Sequence, residues 1–307
     1  MSGPITVGSP TGSIYDLGYR GYEGPRLGRG HAVRSMFVHS LRSAYGIGRG
    51  ARAKIAPLAF GAMAVVPAIA IVGILAIAAR FGEGVSEQIS EGSPLNYSTY
   101  FSTMSTFVIL FCAAQAPELF GRDQRHSVLS LYFARALRRS DYTLARMAGF
   151  VAAVLILVLF PQFVLFLGRV LLAPDVAKAV GRDLPSIPPI LAQGALSACL
   201  LGGLSMAVSA FTPRRAYATA GIIALFVIPA IVASVVGGIG STEIGEWLFL
   251  ASPTTVLDGT NAVLFDTDLG SEFFFVDLPD WAWFAAAIVG IVGSIVLALR
   301  RFARYTA

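Results

Sequence analysis

Few side chains in this chain could carry chemistry, and their spacing does not match a metal site or a nucleophilic site. Three histidines, His31, His39 and His126, lie in polar segments and are separated in sequence. Two cysteines, Cys112 and Cys199, lie within apolar runs, where a thiol usually acts as a small packing residue. The chain contains neither an H-E-x-x-H pair nor a G-x-S-x-G elbow. We therefore expect no metal site, no disulfide framework and no catalytic residue on this chain.

The sequence also does not indicate that the chain converts energy by itself. A G-x-x-x-x-G-K-[ST] phosphate loop is absent, so the chain lacks this route to ATP hydrolysis. Ion-coupled carriers usually need ionisable groups inside the membrane, and only Arg169 lies clearly within an apolar run. Because Arg169 is four residues from the end of that run, it either extends to the outer interface or lines a path for a transported molecule. The driving energy is expected to come from another chain.

Long apolar runs dominate the sequence, and the helices that they form must position the histidines, the cysteines and Arg169. Of the 307 residues, 55% are hydrophobic and 13% are charged, whereas soluble domains carry roughly 25% charged residues. A bilayer core about 30 Å thick requires about 20 apolar residues in a helix. Six runs are long enough: Ile55–Ala79, Ser98–Glu118, Met147–Ala173, Ile187–Phe211, Ala216–Ile239 and Trp281–Leu299. The sequence therefore predicts an all-α membrane protein with six transmembrane helices.

The positive charges predict the orientation of these helices. Of the 23 Lys and Arg residues, 19 fall in segments that six spans would place on one side, namely 1–54, 119–146, 212–215 and 300–307. An excess of Lys and Arg marks the cytoplasmic side. The 21 Arg against 2 Lys suggest a bacterial genome rich in G and C, so we expect a multi-pass inner-membrane protein with both ends in the cytoplasm. The expected domains are a cytoplasmic leader with an interfacial helix (1–54), a transmembrane domain (55–301) and a cytoplasmic tail (302–307).

Two shorter patterned regions flank the spans. His31–Tyr45 has apolar residues at helical spacing and is predicted to be an interfacial helix on the cytoplasmic leaflet, the alternative being a cytoplasmic helix packed on protein. Ile244–Leu250 and Val256–Phe265 are apolar but too short to span, and Ser252-Pro253 separates them. Broken helices at membrane depth must be covered by protein. We therefore expect two short re-entrant helices before the last span.

The segment that follows the second span has a pattern of its own. It reads PELFGRDQR over 117–125 and LSLYFARALRRSDY over 129–142. This segment resembles the first cytoplasmic loop of ABC-2 type transporter permeases, in which R-P-L-x-R-x-[DE]-Y leads into the third span. The chain departs from that pattern at Ala136, where Pro is usual, and at His126-Ser127, where an acidic residue and Gly are common. The interfacial helix, the six spans, the TPRR link at 212–215 and the Ser-Pro pair before the last span are also similar to the family.

The resemblance implies the membrane-spanning permease subunit of an ATP-driven ABC exporter. Two ATP-binding subunits would dock beneath two permease subunits, which are either identical or different, and ATP and Mg would be bound by the ATPase partners alone. The loop helix would be the coupling helix, with charged residues pairing with the ATPase and apolar residues filling a groove on it. The residues assigned to this coupling site are Arg122, Asp123, Arg125, His126, Leu131, Tyr132 and Arg135.

Other functions stay open at this point. The resemblance implies export of a drug, an antibiotic or a lipid-like compound, and the basic loop favours contact with anionic membrane lipids. No nucleic-acid partner is expected. A secondary carrier or channel that works alone is one alternative, and a membrane scaffold without transport activity is another.

Overall fold

The computed structural model describes residues 24, 27–78, 80, 96–133, 137–173, 175–239, 243–267 and 278–304, and every regular element in these ranges is helical. The α-helices, in chain order, are α1 Gly28–Ala44, α2 Ala51–Ala78, α3 Tyr97–Arg125, α4 Leu129–Phe133, α5 Arg139–Leu171, α6 Val176–Asp183, α7 Ile187–Phe211, α8 Arg215–Ile239, α9 Glu243–Leu248, α10 Pro253–Phe265 and α11 Asp280–Ala303. Two 3-10 turns, Leu184–Ser186 and Phe249–Ala251, precede α7 and α10.

Six of the described helices are long and apolar enough to cross a membrane, which confirms the predicted number of spans. The predicted ends are less accurate, because α3 continues to Arg125 and α5 already begins at Arg139. Hydropathy indicates which residues can contact lipid, whereas a helix continues for as long as its backbone hydrogen bonds are made. Much of the predicted loop between these two spans is therefore helical.

Helices α3 and α7 lie at the centre of the bundle. In their most apolar 18-residue windows, 61% and 67% of the residues are buried, against 22% for α2 and 17% for α8. Small residues allow this packing: a Cβ on Gly203 of α7 would stand 2.6 Å from the hydroxyl of Ser294 in α11. Close approach through small residues is typical of membrane helices, since lipid gives them little hydrophobic drive to associate.

The predicted N-terminal helix is confirmed as a helix, α1, and it packs on protein. A Cβ on Gly149 of α5 would stand 2.6 Å from the carbonyl oxygen of Phe37, so α1 lies directly against α5. The Tyr45 hydroxyl donates a hydrogen bond of 2.7 Å to the Ala153 carbonyl, which holds the end of α1 on the same helix. The predicted position of α1 at a membrane interface stays a prediction.

The segment before α11 forms two short helices, as predicted, with a break at Pro253. Ser252 caps α10 by accepting a hydrogen bond of 3.3 Å from the Thr255 amide, and Pro253 starts the helix, where its missing N–H is not needed. Asn261 donates a hydrogen bond of 3.0 Å to the Ser98 carbonyl, so α10 packs on α3. Its re-entry into a membrane stays a prediction.

Candidate functional site

The residues assigned to the coupling site lie at one end of the bundle, which we call the basic end. The C-terminal ends of α3 and α11, the N-terminal end of α5 and helix α1 meet there. The structure places Arg122, Asp123 and Arg125 on the last turns of α3, His126 in the following turn, and Leu131 and Tyr132 on α4. Arg135 lies outside the described residues.

Asp123, which is expected to pair with charges on an ATPase, has a buried carboxylate that forms an ion pair with Arg146 of α5. The two side chains are 9% and 3% exposed. The hydroxyl of Tyr142 donates a second hydrogen bond, of 2.7 Å, to the same carboxylate oxygen. Arg146 also lies 3.4 Å from the hydroxyl of Ser40 in α1. We call these four residues the polar junction, and it joins α1, α3 and α5.

The polar junction follows from the register of α5. Tyr142 and Arg146 are four residues apart, so they lie one above the other on the same helix face, and both reach Asp123. A buried guanidinium cannot lose its proton and therefore requires a carboxylate partner. The expectation that Asp123 pairs with an ATPase is corrected accordingly, because its charge is already balanced inside this chain.

An aromatic cluster lies beside the polar junction and includes the short helix α4. The ring of Tyr142 lies 5.6 Å from that of Tyr132 and 5.8 Å from that of Phe133, both in α4. The same ring lies 5.9 Å from Phe120 of α3 and 5.5 Å from Phe302 of α11. Such aromatic pairs stabilise by about 0.5–1.5 kcal/mol each beyond their buried area. Helix α4 is therefore fixed to three long helices through one tyrosine.

The two predicted apolar anchors of α4 point in different directions. Tyr132 is half-buried against Tyr142, and the expectation that it fills a groove on a partner stays a prediction. Leu131 is 67% exposed and faces away from the bundle. The residue of α4 that packs into the core is Leu129, which is 1% exposed and which sequence analysis did not select.

Ion pairs hold the surrounding elements at the basic end. Arg29 at the start of α1 binds both carboxylate oxygens of Asp141 at 2.6 Å, and Asp141 also accepts a hydrogen bond from the Arg138 amide, which caps α5. Glu118 of α3 pairs with Arg49 at 3.2 Å and with Arg215 of α8 at 3.1 Å. These acidic residues thus join elements that are distant from one another in the chain.

The excess of arginines affects the ionisation of neighbouring groups. Burial, together with the charge of Arg146, lowers the pKa of His39 below its ordinary value. Burial and the charge of Arg122 lower the pKa of the Arg49 guanidinium. Burial is the main cause of both shifts, and the positive charges of neighbouring arginines add to it.

Arg169, assigned to a pathway or to the outer interface, is buried at the opposite end of the bundle. Its side chain is 8% exposed, its Nε atom lies 3.5 Å from a carboxylate oxygen of Asp183 in α6, and its guanidinium lies 5.2 Å from the ring centre of Tyr97. The interpretation that this side chain extends to the outer interface stays a prediction. Sequence analysis did not select Asp183 and so missed the ion pair; a role of Arg169 in a pathway also stays a prediction.

In the described part of the chain, no group of three His, Cys, Asp or Glu residues is arranged to hold a metal ion. Cys112 and Cys199 are free thiols. In comparisons with known proteins, no protein-family model and no curated protein matches the chain. The described part of the chain contains six helices that are long and apolar enough to span, and these place it in the class of multi-pass α-helical membrane proteins.

Proposed function

We propose that this chain is the membrane-spanning permease subunit of an ATP-driven ABC exporter in a bacterial inner membrane, with both ends in the cytoplasm. Separate ATP-binding subunits would hold ATP and Mg and hydrolyse the nucleotide. A second permease subunit, identical or different, would complete the pathway. The observation that carries this proposal is the attachment of α4 to three long helices through the aromatic cluster around Tyr142.

The attachment provides a mechanical route from the basic end into the bundle. A force applied to α4 passes through Tyr132 and Phe133 to Tyr142 of α5, because their rings are in contact. From Tyr142 it passes to Phe302 of α11 by ring contact and to Asp123 of α3 by a hydrogen bond. Packed interiors deform little and transmit strain, so displacement of α4 would tilt these helices together. Coupling of ATPase motion to a transport path requires such a connection.

The surface that the ATPase would contact consists of the exposed side of α4 and the C-terminal end of α3. Leu131 projects from α4 and is the apolar anchor, since no residue in the described part of the chain covers it. Arg122, Arg125 and His126 are exposed around it and would form the charged rim. Asp123 is excluded from the rim by its buried ion pair.

The proposed orientation is based on the distribution of charge in the sequence. Of the 23 basic residues, 19 fall in segments that six spans would place on the same side as the basic end. Such a surface also attracts anionic lipid headgroups. Exported compounds of drug, antibiotic or lipid-like type are the substrates that this class of permease suggests.

Co-purification of the ATP-binding subunit with single variants tests the proposal. Leu131→Ala removes the apolar anchor and should weaken docking by about 2 kcal/mol, or roughly 30-fold. Arg125→Ala removes one rim charge and should cost less than about 1 kcal/mol. Leu144→Ala is the matched control, because Leu144 is 44% exposed on α5 and outside the proposed contact.

The same preparations are assayed for ATP hydrolysis by the partner. The proposal predicts that Leu131→Ala lowers both the amount of bound ATPase and its stimulation by this chain, while the control behaves as wild type. Wild-type docking by both Leu131→Ala and Arg125→Ala would place the coupling surface elsewhere. Transport by the purified chain without an ATPase would replace the exporter with a secondary carrier or channel.

A further inference from the structure

A cavity of about 670 Å³ opens at the basic end, between α1, the turn that follows it, the end of α3 and helix α4. The charged residues that line it are Arg42, Arg49, Arg122, Arg146, Glu118 and Asp123. The cavity is much larger than a single carboxylate or water molecule needs. It is therefore large enough for a small molecule or a headgroup, and the charges of its lining decide which ligand it would favour.

Both carboxylates of the cavity are already neutralised. Asp123 is paired with Arg146, and Glu118 is paired with Arg49 and, from outside the cavity, with Arg215. The charge that is left over in the cavity is therefore positive.

Two arginines supply this excess charge. Arg42 of α1 and Arg122 of α3 are both exposed and, within the described ranges, neither forms an ion pair. They project from different helices into one cavity, so an anion placed between them would be held from two sides. The lowered pKa of Arg49, to which burial and then the charge of Arg122 contribute, agrees with an excess of positive charge.

We propose that this cavity binds a phosphate-bearing anion, with Arg42 and Arg122 as its main ligands. Guanidinium groups present parallel N–H donors that match the oxygens of a phosphate, and such charge-assisted pairs are short and strong. The position of the cavity along the bundle also favours a phosphate group. The turn that forms one of its walls leads directly into α2 at Ala51, where an apolar span begins. Phosphate groups of lipids lie at that level of a membrane.

Ile47 adds an apolar element to this wall. It lines the cavity and is 58% exposed, so the site offers an apolar contact beside its cationic groups. The phosphate could be carried by an anionic lipid headgroup or by a soluble compound, since both present the same oxygens to the arginines. Arg122 also belongs to the charged rim proposed for the ATPase contact, so anion binding is measured on the chain without an ATPase.

The test uses the full chain in lipid nanodiscs and measures its thermal unfolding midpoint. Phosphatidylcholine discs are compared with discs that contain phosphatidylglycerol, and inorganic phosphate is titrated into the phosphatidylcholine discs. The variant is Arg42→Gln/Arg122→Gln. Its matched control, Arg300→Gln/Arg304→Gln, removes two exposed positive charges from the same end of the bundle but outside the cavity.

The proposal predicts that an anionic ligand raises the midpoint of the wild type and of the control, and that the cavity variant needs at least about tenfold more ligand for the same rise. A response to phosphatidylglycerol alone identifies a lipid headgroup as the source, and a response to inorganic phosphate identifies a soluble one. Equal responses of the cavity variant and the control, or no response of the wild type to either ligand, would overturn the proposal. The single variant Arg42→Gln keeps the test decisive if the double variant does not fold.

Discussion

Removing the charge of Asp123 should destabilise the folded chain strongly. Asp123→Asn keeps the shape of the side chain and its contact with Tyr142 but leaves the guanidinium of Arg146, which is 3% exposed, without a counter-charge. Breaking a buried pair by removing one partner typically costs about 3–5 kcal/mol. Tyr142→Phe removes only one hydrogen bond to the same carboxylate and should cost less, about 1.5–3 kcal/mol.

A double-mutant cycle separates the ion pair from other effects of these substitutions. Replacing both partners removes the uncompensated charge, so Asp123→Asn/Arg146→Met should cost no more than about the single variant Asp123→Asn, and far less than the sum of the two single costs. The assay is reversible unfolding of the purified chain in mixed micelles by titration with SDS. Arg300→Gln, an exposed charge, is the control and should change the free energy of unfolding by less than about 0.5 kcal/mol. Two results would refute an energetic link through the polar junction. One is a loss of less than about 1 kcal/mol in the free energy of unfolding for Asp123→Asn, and the other is a loss in the double variant equal to the sum of the two single losses.

Three further predictions test other parts of the structure. Gly149→Ala places a Cβ 2.6 Å from the backbone of α1 and should destabilise by about 1–3 kcal/mol, whereas Gly73→Ala, whose Cβ meets no described atom within 4 Å, should not destabilise the chain in the same unfolding assay. Because the folded chain lowers the pKa of His39 below 6.5, stability should be complete above that pH and fall as the pH drops through it, and His39→Gln should reduce this loss in unfolding curves measured between about pH 7 and pH 5. A Cys at Lys178 should react with an impermeant thiol reagent applied to intact cells and a Cys at Ser140 should not; the reverse labelling would contradict the orientation.

The long helices could be predicted from the sequence because their signal is local. A run of about 20 apolar residues suffices to predict a span, and the six runs reappear as α2, α3, α5, α7, α8 and α11. The break at Pro253 was also predictable, since Ser252 and Pro253 are typical of a helix start. The ends of α3 and α5 were not, because polar residues continue both helices past their apolar segments.

The polar junction could be predicted only in part. The spacing of Tyr142 and Arg146 shows that they share a helix face, but no local pattern shows that this face meets Asp123, which lies 19 and 23 residues earlier in the chain. The same limit applies to Arg169, whose partner Asp183 belongs to a different helix.

Helix α4 shows a second limit of local patterns. Leu129 and Leu131 are two positions apart and so point to nearly opposite sides of a helix. Each of these two sides of α4 therefore carries a leucine, and the sequence does not show which leucine is buried. The contacts of the bundle alone decide that Leu129 is buried and that Leu131 is exposed.

Photocrosslinking from position 131 in living cells identifies the protein that contacts α4. A benzoylphenylalanine in place of Leu131 lies on the exposed side of α4, where the ATPase is proposed to bind. Ile223 of α8, an exposed residue within an apolar span, provides the control position. The proposed function predicts an adduct from position 131 to a protein that carries a phosphate loop and hydrolyses ATP, and no such adduct from position 223. Adducts with lipid alone at both positions would contradict it.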